Sequence, residues 1–191
     1  MGRPSLAEVR KPQILEAYVE CLIERGVEGT TLDLVAERAG VTRGLVRHYL
    51  GNREDVLCAL GAHVRDRYTT WLQDLVSGRP PEDRLDAVVD ALLATDEPRD
   101  LYQLLTALFA AASRDDQVTA MLRELYLEFE RTIDAELASA RPTANPKTRR
   151  QVAFAILCLS AASSDFQMLG FPRDRGPAAR GAATVLIDSL G

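Results

Sequence analysis

The chain has 191 residues, 47% of them hydrophobic and 27% charged, the composition of a folded globular protein rather than a disordered one. No apolar run approaches the roughly 18 residues that a membrane span requires, and the opening Met-Gly-Arg-Pro-Ser lacks an apolar signal core, so the sequence reads as cytoplasmic, with no membrane partner. A formal net charge of −5 argues against indiscriminate coating of nucleic acid but leaves room for a local basic face.

Every long segment reads at helical period and none alternates like a strand, which makes the fold class all-α. Residues 12–25 put Ile14, Ala17, Tyr18, Cys21 and Leu22 on one face and stop at Gly26. A short helix follows Thr31, with Leu32, Val35 and Ala36 facing in, and ends at Gly40; another runs from Thr42 to about Leu50. Asn52, with Asp55 three residues on, caps a long helix whose stripe is Leu57, Leu60, Val64, Tyr68, Trp71 and Leu75. At 1.5 Å per residue its roughly 26 residues span roughly 39 Å. Ser77-Gly-Arg-Pro-Pro81 ends it, because prolines cannot continue the ladder. Helices over 82–95, 99–113 and 116–140 follow, the last with Val118, Leu122, Leu125, Phe129, Ile133 and Leu137 inward. Asn145-Pro146 opens a helix to Leu169, and a final one covers about 177–190. The expectation is nine helices: a reading domain over 1–51 and a bundle over 52–191.

Charge follows the same division. Residues 1–51 hold seven Lys and Arg against seven Asp and Glu, leaving 16 against 21 for the rest, so the acidic excess lies away from the N-terminus. Three cysteines (Cys21, Cys58, Cys158) and two histidines (His48, His63) fit no metal-ligand spacing. Apolar neighbours predict that all three thiols are buried and reduced, and no cofactor is implied. No Ser/His/Asp set, paired-carboxylate motif or phosphate loop is visible, which argues against an enzyme.

The informative stretch is residues 30–49. Two short helices that cross steeply need a small residue where they touch, here Ala36, and a residue tolerant of positive φ in the turn, here Gly40. Val35, Ala39, Val41 and Val46 lock the pair, and Thr42 caps the second helix with its amides facing outward. Thr42, Arg43, Arg47 and His48 remain polar on that helix. Gly44 is a poor helix former, which makes sense where another backbone or a base must come close. The bland alternative is a helical hairpin with a solvated face.

Residues from about 10 to 57 resemble the N-terminal domain of the tetracycline-repressor (TetR) family at Thr30, Thr31, Val35, Ala36, Ala39, Gly40, Val41, Gly44, Val46, Tyr49, Glu54 and Leu57. Thr42 stands for the family's serine, Leu50 for its phenylalanine and Arg53 for its lysine, while Arg47 replaces a usual tyrosine. The rest matches in architecture, with some likeness to the branch that includes choline-responsive repressors. The resemblance implies a nine-helix regulator with an N-terminal helix-turn-helix and a C-terminal ligand-binding and dimerisation bundle. It implies that Thr31, Thr42, Tyr49 and Arg53 hold phosphates of operator DNA, and that Arg43, Gly44, Arg47 and His48 lie in the major groove. Lys11, Arg3 and Arg10 are candidates for added backbone or minor-groove contacts.

A reader of this kind pairs across a two-fold axis. Residues 152–162 are apolar nearly all round, and Ala179, Ala182, Ala183, Leu186 and Leu190 form a small-residue seam, so the last two helices are expected to form a homodimer interface. Burial within one chain is the alternative. Tyr68, Trp71, Tyr102, Phe109, Met121, Phe129 and Phe166 lie on stripes read as inward, and Asp165 is a carboxylate on an apolar helix. Tyr68, Trp71, Tyr102, Phe109 and Asp165 are the candidates to line a small-molecule effector site; an aromatic cage with a carboxylate suits a cation. The expected function is a repressor released from a palindromic operator by a small molecule. The competing reading is a helical regulator that acts through protein contacts without DNA.

Overall fold

The computed structural model describes residues 6–94, 98–172 and 175–191, excepting the side chains of 6–9, 94 and 175. The expectation for Arg3 therefore lies outside the described residues. Among these the chain forms nine α-helices: α1 (Leu6–Gly29), α2 (Leu32–Ala39), α3 (Arg43–Leu50), α4 (Arg53–Val76), α5 (Pro81–Ala94), α6 (Arg99–Ala112), α7 (Asp116–Ala140), α8 (Pro146–Met168) and α9 (Arg175–Asp188). The element boundaries follow the caps and breakers in the sequence closely. The exception is α1, which begins six residues before Pro12 and runs through it, losing one ladder hydrogen bond rather than stopping. At its far end the expected stop is real, since Gly26 has φ 71 and ψ 177 inside the helical span.

Contacts gather the chain into two compact units, residues 1–67 with 99–125 and residues 68–98 with 126–191. In the first, α1 packs against α2, α3 and α6. Ile14, Leu22, Val35, Val46, Leu60, Val64, Leu101 and Leu108 are almost fully buried there. Arg38 of α2 ties down α1 with a bidentate pair to Glu24, at 2.7 Å and 2.5 Å, and a further bond to Glu20 at 3.3 Å. Hydrogen bonding to Arg38 holds the Glu24 carboxyl below the usual carboxylate range. In the second unit α5 packs against α8 and α9. Its one buried polar side chain among the described residues, Ser160, donates to the Leu92 carbonyl at 3.1 Å. Arg180 of α9 pairs with Asp86 and Asp90 of α5, and Arg149 of α8 takes Asp134 of α7 in a fork at 2.7 and 3.2 Å.

The start of α4 shows how local chemistry sets the frame. Asn52 Oδ1 accepts from the Asp55 amide at 3.0 Å while Asp55 Oδ2 accepts from the Asn52 amide at 2.9 Å, a reciprocal capping box. Gly51, at φ 77, lets the carboxylate come this close: a Cβ there would sit 2.8 Å from Asp55 Cβ.

Three expectations about facing are corrected. Only Cys21 is a buried thiol; Cys58 and Cys158 are exposed, because the buried arcs of α4 and α8 run through Leu57 and Leu60 and through Ile156 and Ser160 instead. Phe109 and Phe166 do not point inward; both are about half exposed. On α6 the buried arc is Leu101, Leu104, Leu105 and Leu108, and the inclusion of Leu104 turns Phe109 to its flank. Phe166 instead stacks on Phe171 at the surface, with ring centroids 4.9 Å apart. On α9 Ala183 and Ile187, and just beyond it Leu190, pack within the chain, so the exposed seam is Ala178, Gly181, Ala182 and Val185 rather than the one read from the sequence.

Replacing Asn52 by alanine removes one half of the capping box. The expected loss is about 1 kcal/mol in urea unfolding of the full chain; an unchanged midpoint would show that the box adds nothing to α4.

Candidate functional site

The corner between α2 and α3 is built as its residues require. Thr31 Oγ1 accepts from the Leu34 amide at 3.3 Å and starts α2. Gly40 ends it in the left-handed region, φ 62 and ψ 36, and its amide and that of Val41 return to carbonyls of the last turn. Two residues on, Thr42 Oγ1 accepts from the Leu45 amide at 3.3 Å and starts α3. A hydroxyl that accepts in a cap keeps its own hydrogen, so Thr31 and Thr42, both exposed, can donate outward at the same time.

Val46 and Leu50 are buried on one side of α3 and hold it to the core. Arg43, Gly44, Arg47 and His48 are all exposed. Space around Gly44 is open: a Cβ there would meet only Thr42 Oγ1, at 3.9 Å. Nothing among the described residues requires a glycine at that position. Arg43 pairs with Asp33 of α2 at 3.1 Å, with both side chains about two-thirds exposed. Among the described residues Arg47 forms no salt bridge. His48 and the half-buried Tyr49 meet edge to face, 5.2 Å between ring centroids. Lys11 is exposed and Arg10 half-buried on α1. Arg53, at the first turn of α4, is paired with Asp115 ahead of α7. At this corner the sequence pattern did not single out Leu45 of α3, which is 38% exposed, an apolar group on the outward side. Its position beside Gly44, off the Val46–Leu50 arc, was the available signal.

The candidate effector residues fall in different places. Tyr68 packs on Phe129 at 4.1 Å between ring centroids and edge to face on Trp71 at 5.5 Å, and Tyr126, which sequence reading missed, lies 5.6 Å from Phe129. These four rings belong to one compact unit; Tyr102 and Phe109 belong to the other. Asp165 is exposed on α8. An open groove of about 380 Å³ runs elsewhere, along α5, between Leu75, Arg79, Asp83, Asp86, Ala87, Asp90 and Ala91. Its walls mix charged and apolar side chains and do not coincide with the aromatic cluster.

His63 of α4 has a buried Nε2 with no hydrogen-bond partner among the described residues, 3.9 Å from Glu16 Oε2. Burial pushes its pKa below the ordinary value; Arg67 pushes the same way, while Glu16, Asp100 and Asp66 oppose. Arg67 itself is paired with Asp100 at 2.5 Å.

Residues 14–60 match the family described as "Bacterial regulatory proteins, tetR family", and residues 81–161 match "BetI-type transcriptional repressor, C-terminal". The HTH-type transcriptional regulator BetI of Burkholderia ambifaria (strain MC40-6) is 31% identical over 162 residues, covering 83% of this chain and 82% of that protein. The BetI regulator of Burkholderia mallei (strain NCTC 10229) is 30% identical over 190 residues, covering 100% of this chain and 84% of that one. The chain belongs to the TetR family. Solved structures agree on the fold: a TetR transcription regulator from Haloarcula marismortui ATCC 43049 superposes with a TM-score of 0.72 at 21% identity, over 95% of this chain and 98% of its own. A SmeT–triclosan complex gives 0.69 at 20% identity, over 93% and 90%. The TetR-family chain is thus a DNA-binding transcription regulator, and α2 and α3 are its helix-turn-helix. No helix among its described residues is long and apolar enough to cross a membrane.

Two expectations follow. Gly44→Ala adds a methyl into open space on a helix, so the folded chain is expected to gain up to about 1 kcal/mol in urea unfolding; a loss of stability would mean the glycine serves internal packing. For His63 the folded pKa lies below the unfolded one, so below about pH 6.5 the unfolded chain binds protons more readily and stability falls as pH drops. His63→Gln, which does not titrate there, is expected to shrink the fall in Tm between pH 7 and pH 5.5, and an equally steep fall would clear His63 of that role.

Proposed function

We propose that the protein is a homodimeric repressor that inserts α3 into the major groove of a palindromic operator and leaves it when a small organic ligand occupies its C-terminal bundle. The observation that carries this reading is the exposed Arg43, Gly44, Arg47 and His48 face, set opposite the buried Val46 and Leu50, on a helix whose glycine has no packing purpose. A DNA groove supplies that purpose. Arg47 carries the base reading, its guanidinium reaching guanine O6 and N7, worth about 1–3 kcal/mol of discrimination. Arg43 and His48 flank it, and Leu45 offers an apolar contact to a thymine methyl. Thr31, Thr42, Tyr49 and Arg53 hold phosphates, which fix register without reading sequence. Residues 1–51 are in this sense the reader and residues 52–191 the sensing and pairing part.

The dimer reading is supported by an apolar surface that a single chain leaves open. Phe154 is 55% and Val185 71% exposed on α8 and α9, with Cys158 and Ala161 of α8 and Ala178, Gly181 and Ala182 of α9 beside them. Two copies of this face form a four-helix interface and match the two-fold symmetry of a palindrome. For the effector, the support is the ring cluster of Tyr68, Trp71, Tyr126 and Phe129, in which Trp71 and Tyr126 are half-buried and Tyr68 and Phe129 buried behind them; aromatic rings suit a cationic or flat organic molecule. The SmeT structure with triclosan shows a protein of this fold holding a small organic compound. A ligand that weakens operator binding is weakened by the operator to the same factor.

In a titration of the full chain against a duplex selected from random DNA, Arg47→Ala is expected to lower affinity about 5- to 150-fold per head, the span of one bidentate base contact, with helicity and dimerisation unchanged. Gly44→Ala is expected to bind less tightly while being more stable. Undiminished affinity in both variants would remove α3 from the groove.

A further inference from the structure

Asp115 stands immediately before α7, and its two oxygens have separate duties. Oδ1 accepts from the Gln117 amide at 3.1 Å and the Val118 amide at 3.2 Å, which makes Asp115 the N-cap of α7. Oδ2 takes the guanidinium of Arg53. The two side chains differ in freedom: Asp115 is 18% exposed and fixed by two backbone amides, whereas Arg53 is 55% exposed. Beside it Arg114 pairs with Glu28 at the end of α1, at 3.0 Å, but with both partners largely solvated. Backbone amides and Arg53 together outweigh burial and hold the Asp115 carboxyl below its usual range, so it is ionised at neutral pH.

A carboxylate and a phosphate diester engage a guanidinium through the same planar donor fork. A donor already bonded to Asp115 is not available to DNA, and a fixed carboxylate beside the contact point repels an arriving phosphate. We infer that Asp115 is a built-in competitor of DNA for Arg53, so that the turn between α6 and α7 sets how strongly the reading head grips the DNA backbone. The inference rests on the reading of Arg53 as a phosphate contact. Because phosphates carry no sequence information, the competition weakens every duplex alike and leaves discrimination to the base-reading side chains.

The test uses the full chain, a duplex selected from random DNA and a scrambled duplex of equal length, titrated by fluorescence anisotropy at several salt concentrations. Asp115→Asn removes the charge but keeps an acceptor for the α7 amides; Asp115→Ser, a second neutral cap, repeats the measurement should the first variant fold poorly. The expected result is binding about two- to fivefold tighter per head on both duplexes, the range of an exposed ion pair. Arg53→Ala binds more weakly than the parent, and Asp115→Asn adds nothing in the Arg53→Ala background. If Asp115→Asn leaves binding unchanged or weaker while Arg53→Ala weakens it, competition is overturned and the phosphate contact stands. An equal gain in the Arg53→Ala background also overturns it, because removal of a nearby negative charge then accounts for the gain. Arg53→Ala binding as tightly as the parent sinks the phosphate contact and the inference together.

Discussion

Between Ala36 and Thr42 the chain must close one helix and open another within a few residues, and the backbone that does so puts Gly40 at φ 62, ψ 36. A β-carbon is disfavoured there, so the turn depends on glycine. The amides of Gly40 and Val41 bond back into α2, and the Thr42 side chain takes the Leu45 amide of α3. With the corner fixed and Val46 and Leu50 sunk into the core, the outward direction of Arg43, Arg47 and His48 is set before any DNA arrives.

Electrostatics then divide the arginines of this region by task. Arg38 is spent on the fold, clamped to Glu24 and Glu20. Arg43 rests on Asp33 in an exposed, easily screened pair, and Arg53 rests on the better-anchored Asp115. Arg47 has no such partner among the described residues. Three of these four arginines lie within residues 1–51, a region of zero formal charge. Glu20, Glu24 and Asp33 there, and Asp115 beyond it, thus occupy three of the four guanidinium groups.

Most of the fold was legible because caps and breakers act locally. Asn52 with Asp55, Asn145 with Pro146, and the 3-4 spacing of Val118 to Leu137 are short-range instructions that tertiary context did not override. What the sequence did not disclose was rotation about helix axes. On α6 four leucines compete for one buried arc and Phe109 loses; on α9 alanines occupy so much of the surface that composition alone cannot choose a face, and Ala183 with Ile187 turns inward. Pairings distant in sequence were equally hidden. Arg53 with Asp115 spans 62 residues, and no local pattern announces it. Tyr126 escaped notice because it neighbours, rather than lies on, the stripe through Leu125 and Phe129.

The shape of the footprint on DNA bears most directly on the function. Hydroxyl-radical protection combined with methylation interference on a selected operator reports both groove and symmetry. Entry of α3 from two paired chains predicts two protected patches related by a dyad, centred about 34–36 Å or a multiple of that apart, with methylation at guanine N7 in each blocking binding. A single unrepeated patch, or interference confined to minor-groove adenine N3, would contradict it.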